Sequence, residues 1–124
     1  MKIPKKILLR QDEITADFTK LLDAHISDIE NKKVDRMLEI NEFASMLFIH
    51  PTHLSNTIKL ATGRAPCDLF EEKLMLLAKR LLSDPKANIA DIAFNLTFDP
   101  SNFTKWFKRF EGITPTQFRE NISL

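Results

Sequence analysis

Residues 44–63 read ASMLFIHPTHLSNTIKLATG, and residues 93–112 read AFNLTFDPSNFTKWFKRFEG. A shift of 49 residues lays one on the other without a gap. Ala44 falls on Ala93, Leu47 on Leu96, Pro51 on Pro100, Leu54 on Phe103, Ile58 on Phe107, Lys59 on Lys108 and Gly63 on Gly112. Just beyond, Pro66 falls on Pro115 and Leu69 on Phe118. Apolar positions alone would match between any two helices, since helices share one period. Proline and glycine punctuate the backbone, so their coincidence marks one supersecondary unit present twice.

Each copy predicts a helix, a tight turn and a second helix. In the first, Ile40, Phe43, Ala44 and Leu47 make the apolar stripe of a short helix. His50-Pro51 stops it and restarts the chain, with Pro51 suited to the first helical position. Leu54, Ile58 and Ala61 form the next stripe, and Gly63 closes the helix in the left-handed conformation. In the second copy Asn88 is the expected N-cap, followed by Ile89, Ile92, Ala93 and Leu96. Asp99-Pro100 restarts the chain, Phe103, Trp106, Phe107 and Phe110 are expected to pack inward, and Gly112 terminates. Thr114-Pro115 opens a last short helix through Phe118.

Two more helices complete an all-α chain of about seven. Phe18, Leu21, Leu22, His25, Ile26 and Ile29 share one face of a helix ahead of the first copy. Between the copies, Pro66 to Leu82 reads as one long helix with Leu69, Phe70, Leu74, Leu77, Ala78 and Leu81 inward. The expected layout is a basic lead-in or linker over 1–13, then one domain over 14–124. Within it, subdomain one covers about 14–65, the linking helix about 66–82 and subdomain two about 83–124.

Composition agrees with this reading. The chain has 124 residues, 44% hydrophobic and 28% charged, which describes a folded domain rather than a disordered one. Gly numbers only 2 and Tyr is absent, so β-hairpin turns lack their usual residues. The apolar run Leu74–Ala78 is far short of the roughly 20 residues that span a bilayer. A single cysteine, Cys67, cannot form an internal disulfide, which predicts a reducing, cytoplasmic setting. A net charge of +1 does not announce a polyanion partner, so any such partner must be inferred from where the charges sit.

They sit informatively on the second helix of each copy. Once the buried stripe is removed, Thr52, Ser55, Asn56 and Lys59 line one face, and the repeat maps them onto Ser101, Thr104, Lys105 and Lys108. Neither face carries a carboxylate, although the chain has 17. A helix entering a major groove needs donors for base edges and phosphates and no groups that repel them. Asn56 can pair with adenine and Lys105 can donate to guanine, while Lys59 and Lys108, a turn further on, are placed for phosphates. One such stripe is an ordinary solvated face. Two matching stripes on a duplicated helix-turn-helix predict DNA binding.

From about Phe18 to Arg119 the chain resembles the AraC/XylS-type transcriptional regulators. The resemblance rests on Phe43-Ala44, His50-Pro51-Thr52-His53-Leu54, Ile58-Lys59, Thr62-Gly63 and Ala78-Lys79-Arg80-Leu81-Leu82. It continues through Ile89-Ala90-Asp91-Ile92-Ala93, Pro100-Ser101-Asn102-Phe103, Phe107-Lys108-Arg109, Gly112, Thr114-Pro115 and Phe118-Arg119. It implies two helix-turn-helix subdomains joined by a long helix, with both recognition helices entering successive major-groove faces of one double-stranded DNA site. Carried over by position, base-reading residues fall on Thr52, Ser55 and Asn56, and on Ser101, Asn102, Thr104 and Lys105. His53, Lys59, Lys108 and Arg109 are the expected phosphate contacts. Where the family usually has glycine before an aromatic in the second turn, this chain has Thr97-Phe98, and Asn56 and Lys105 stand where arginine is frequent. The resemblance further implies a monomer for this region, and RNA polymerase is the expected second partner of an activator.

Other chemistries fit less well. His50 and His53 lie three apart, but structural zinc wants four ligands, so no metal is expected. Cys67 reads as a small semi-buried filler and His25 as a core-edge histidine. Trp106 and the phenylalanines follow helical spacing and are read as core rather than as base-stacking platforms. No glycine-rich phosphate loop, HExxH pair or recognisable nucleophile setting occurs, so neither an enzyme nor a cofactor is expected. The rival reading is a helical protein-protein interaction module that does not bind DNA.

Overall fold

A computed structural model describes residues 5–123. Among them run seven helices: α1 Lys5–Glu30, α2 Ile40–Met46, α3 Pro51–Thr62, α4 Pro66–Leu82, α5 Ile89–Asn95, α6 Pro100–Glu111 and α7 Pro115–Ile122. They form two compact units. The first comprises residues up to 26 together with 38–73, the second 27–37 and 74–123, so α1 and α4 each contribute to both.

In the first unit, Ile14, Phe18 and Leu22 of α1 are buried with Phe43, Ala44, Leu54, Ile58 and Phe70. Phe18 meets Phe43 edge-on at 5.7 Å, and Phe43 meets Phe70 at 6.2 Å, favourable geometries for aromatic quadrupoles. His25 is buried against both rings. Its Nε2 accepts the backbone N–H of Leu38 at 2.9 Å, so the expected core-edge histidine anchors the chain entering α2. A buried imidazole is tolerable when its polar atoms find partners.

In the second unit, Ile29, Leu74, Met75, Leu77, Ala78, Leu82, Ile92, Ala93, Leu96, Phe103 and Phe107 are buried. Aromatic contacts continue the layer, with Phe98 on Trp106 at 5.1 Å and Phe107 on Phe118 at 5.6 Å. Arg119 of α7 donates from Nε to the carbonyl of Leu82 at 3.1 Å and from Nη2 to that of Asp84 at 3.2 Å. It thereby satisfies the Leu82 carbonyl, which the end of α4 leaves without a helical partner, and ties down the turn that follows at Asp84. α7 itself starts with a reciprocal capping box between Thr114 and Gln117.

Several expectations are corrected. The lead-in over 1–13 is helical from Lys5 onward, and residues 1–4 lie outside the described residues. Burial of Ile14, Phe18 and Leu22 nucleates α1, and good helix formers such as Leu9, Arg10, Gln11 and Glu13 extend it toward the amino end. In α3 the buried stripe is Leu54, Thr57 and Ile58, while Ala61, in the last turn, is exposed. Cys67 is exposed rather than a semi-buried filler, because the first turn of α4 buries Pro66 and then Phe70. Phe110 keeps 49% of its surface exposed. It rests on Trp106 of its own helix and carries the Arg109 guanidinium over its ring at 5.6 Å.

Candidate nucleic-acid interface

The two turns are closed by the same pair of backbone bonds. The N–H of Ile49 reaches the carbonyl of Ala44 and that of Phe48 the carbonyl of Ser45, both at 3.1 Å. Forty-nine residues on, Phe98 reaches Ala93 at 2.9 Å and Thr97 reaches Phe94 at 3.0 Å. This is the Schellman arrangement, which needs a left-handed residue at its centre. Phe48 takes φ 57° and Thr97 φ 70° there, both without the freedom of glycine.

Each second helix then starts on a side-chain cap followed by proline. In α3 the cap is His50, whose Nδ1 accepts the N–H of Thr52 at 3.1 Å. In α6 it is Asp99, whose carboxylate accepts the N–H of Asn102 at 2.9 Å. Both helices end on left-handed glycines, Gly63 at φ 77° and Gly112 at φ 89°, bonded back to Lys59 and Lys108. The two helices are thus equal in length, each with proline at its start and glycine at its stop, and differ in the capping side chain and in the side chains they display.

On α3, Thr52, His53, Asn56 and Lys59 are exposed, and Ser55 is half-buried beside Leu54. On α6, Ser101, Asn102, Thr104, Lys105, Lys108 and Arg109 are all exposed. Every residue expected at the interface is therefore solvent-facing or nearly so. The Thr104 hydroxyl donates to the carbonyl of Pro100 at 3.0 Å, leaving its lone pairs outward. His50 already commits Nδ1 to its cap, a lone pair that a metal would have to take, and among the described residues no three His, Cys, Asp or Glu cluster for a metal.

Charge pairing separates these helices from α4. On α4, Lys73 pairs with Asp23 at 2.6 Å, Lys79 with Glu111 at 2.7 Å and Arg80 with Glu30 at 2.9 Å. Among the described residues Lys59, Lys105 and Lys108 make no ion pair, so their ammonium groups stand uncompensated. The Lys79–Glu111 pair also engages the carboxylate that ends α6. Two features lie outside the sequence expectations. Histidine is not among the usual N-cap residues, so His50 gave no signal. The second oxygen of Asp99 also binds the Asn102 side chain, which no spacing rule predicts.

A model of the helix-turn-helix domain family matches residues 43–121. The chain belongs to the AraC-type helix-turn-helix family. Its relatives include the uncharacterized HTH-type transcriptional regulator YisR of Bacillus subtilis, 32% identical over 85 residues, which cover 68% of this chain and 30% of YisR. The C-terminal domain of AraT, a response regulator from Geobacillus stearothermophilus, superposes with TM-score 0.74 at 25% identity, covering 87% of this chain and 84% of that one. The DNA-binding domain of the global transcriptional factor AdpA, solved with a target DNA, shares the fold with TM-score 0.62 at 18% identity over 78% of this chain and 91% of that one. The chain spans less than half the length of such curated relatives, from 8% to 42%. Among the described residues no helix is long and apolar enough to cross a membrane.

Proposed function

We propose that this AraC-type chain binds duplex DNA sequence-specifically and regulates transcription, with α3 and α6 each placed in a major groove. One observation carries the reading. Two helices with the same turn, proline start and glycine stop display carboxylate-free polar faces with unpaired lysines. Thr52, Ser55 and Asn56 read bases in one groove, and Ser101, Asn102, Thr104 and Lys105 in the next, successive turns lying roughly 34 Å apart. His53, Lys59, Lys108 and Arg109, with backbone amides at the helix starts, hold phosphates and supply affinity. The chain acts in the cytoplasm as a monomer, without enzymatic activity, and an activator containing it would also engage RNA polymerase.

Selection of bound duplexes from a random pool at two salt concentrations tests this. A bipartite consensus whose binding weakens steeply with salt is expected, since each phosphate contact releases counterions. Enrichment of no sequence, or binding indifferent to salt, would refute it and favour a protein-docking module.

A further inference from the structure

We propose that Asp99 determines specificity by fixing which end of the Asn102 amide faces the base pairs; this rests on the reading of α6 as a base-reading helix. Asp99 Oδ1 accepts the Asn102 backbone N–H at 2.9 Å, and Asp99 Oδ2 accepts from Asn102 Nδ2 at 2.5 Å. An ionised carboxylate only accepts, so the amide atom held against it is the nitrogen, and Asn102 Oδ1 is turned away. One amide hydrogen is thereby committed. What remains is Oδ1 and the second hydrogen, an acceptor beside a donor, the set that complements N6–H and N7 of adenine.

Both side chains are exposed, so packing does not impose this orientation and the carboxylate does. The N-terminal amides of α6 offset its charge, which lets an anion stand beside the displayed donors. The first unit has no such device. There the cap is His50, which spends Nδ1 on Thr52, and His53 occupies the position of Asn102. The two heads therefore share a backbone but differ in how their first exposed turn is held.

Two substitutions keep the cap and change the clamp. Asp99→Asn retains an oxygen for the Asn102 N–H but turns a donor toward the Asn102 side chain, which then reverses and shows both amide hydrogens outward. Two donors complement N7 and O6 of guanine. Asp99→Ser retains a cap and releases the amide altogether. The experiment is competitive binding of the full chain to duplexes varied one base pair at a time around its selected site, with circular dichroism melts as the folding control.

The wild-type chain should prefer adenine at one position that Asn102→Ala relaxes. Asp99→Asn should move that preference toward guanine by about tenfold, and Asp99→Ser should flatten it by about tenfold, other positions being unchanged. If both Asp99 variants keep the wild-type profile, or weaken all duplexes alike, while Asn102→Ala alters one position, the positioning role is refuted and Asp99 only starts the helix. A preference other than adenine at that position refutes it too. If Asn102→Ala alters no position, base reading by Asn102 fails and the inference fails with it.

Discussion

Phe48 and Thr97 occupy the same left-handed position of two turns closed by equivalent backbone bonds, at φ 57° and φ 70°. L-residues disfavour this region by roughly 1–2 kcal/mol, and a β-branched side chain suffers more. Phe48 gains nothing in return from packing, since 94% of its surface is exposed. Phe48→Gly and Thr97→Gly are each expected to stabilise the fold by about 0.5–1 kcal/mol, the relief of strain exceeding the extra freedom given to the unfolded chain. Thermal melts check this, and a lowered midpoint in both variants would rule out strain at these turns.

Lys105 and Lys108 stand one turn apart on α6, both exposed and unpaired, yet should fail differently when truncated. Lys105→Ala is expected to cost ~1–3 kcal/mol on the selected duplex and to relax preference in the second half-site. Lys108→Ala should weaken all duplexes alike and lower the salt slope by about one. Equal losses on selected and random duplexes for Lys105→Ala would exclude a base contact.

Leu77 and Leu76 are neighbours on α4 with opposite surroundings, at 2% and 62% exposure. Leu77→Asp buries a charge without a partner, costs several kcal/mol and is expected to abolish cooperative unfolding at 37 °C. Leu76→Asp should stay within about 0.5 kcal/mol of wild type. Circular dichroism of the two variants side by side decides it.

The bond from Leu38 N–H to His25 Nε2 joins α1 to the segment entering α2. His25→Phe keeps an aromatic ring against Phe43 and Phe70 but removes the acceptor, leaving a part-buried N–H without its partner. The expected loss is about 1–3 kcal/mol in urea unfolding. Unchanged stability would show that this bond is dispensable.

Much of the architecture was legible because its signals are short-range. Pro51, Pro100 and Pro115 fix φ at helix starts, Asn88, Asp99 and Thr114 cap, and Gly63 and Gly112 accept left-handed closure. Each acts within a turn of itself. Stripes failed where a helix ends, as at Ala61 and Phe110, because periodicity assigns a face but not how far the packed layer reaches. The start of α1 was placed too late for a related reason. Residues 9–13 are mostly exposed, and helix propensity carries them beyond the buried stripe.

At the interface, the sequence by itself determined which residue types stand on each second helix and that the two helices repeat. Only the tertiary structure decided which cations stay uncompensated. Glu111 meets Lys79, 32 residues earlier, and Glu30 meets Arg80, 50 residues later, pairings that exist because the folded chain returns to itself. The partners of Arg119 at the end of α4 depend on the same return. Backbone punctuation is a property of a few adjacent dihedrals and survives in the linear chain, whereas charge pairing and burial depend on distances that only the packed helices fix.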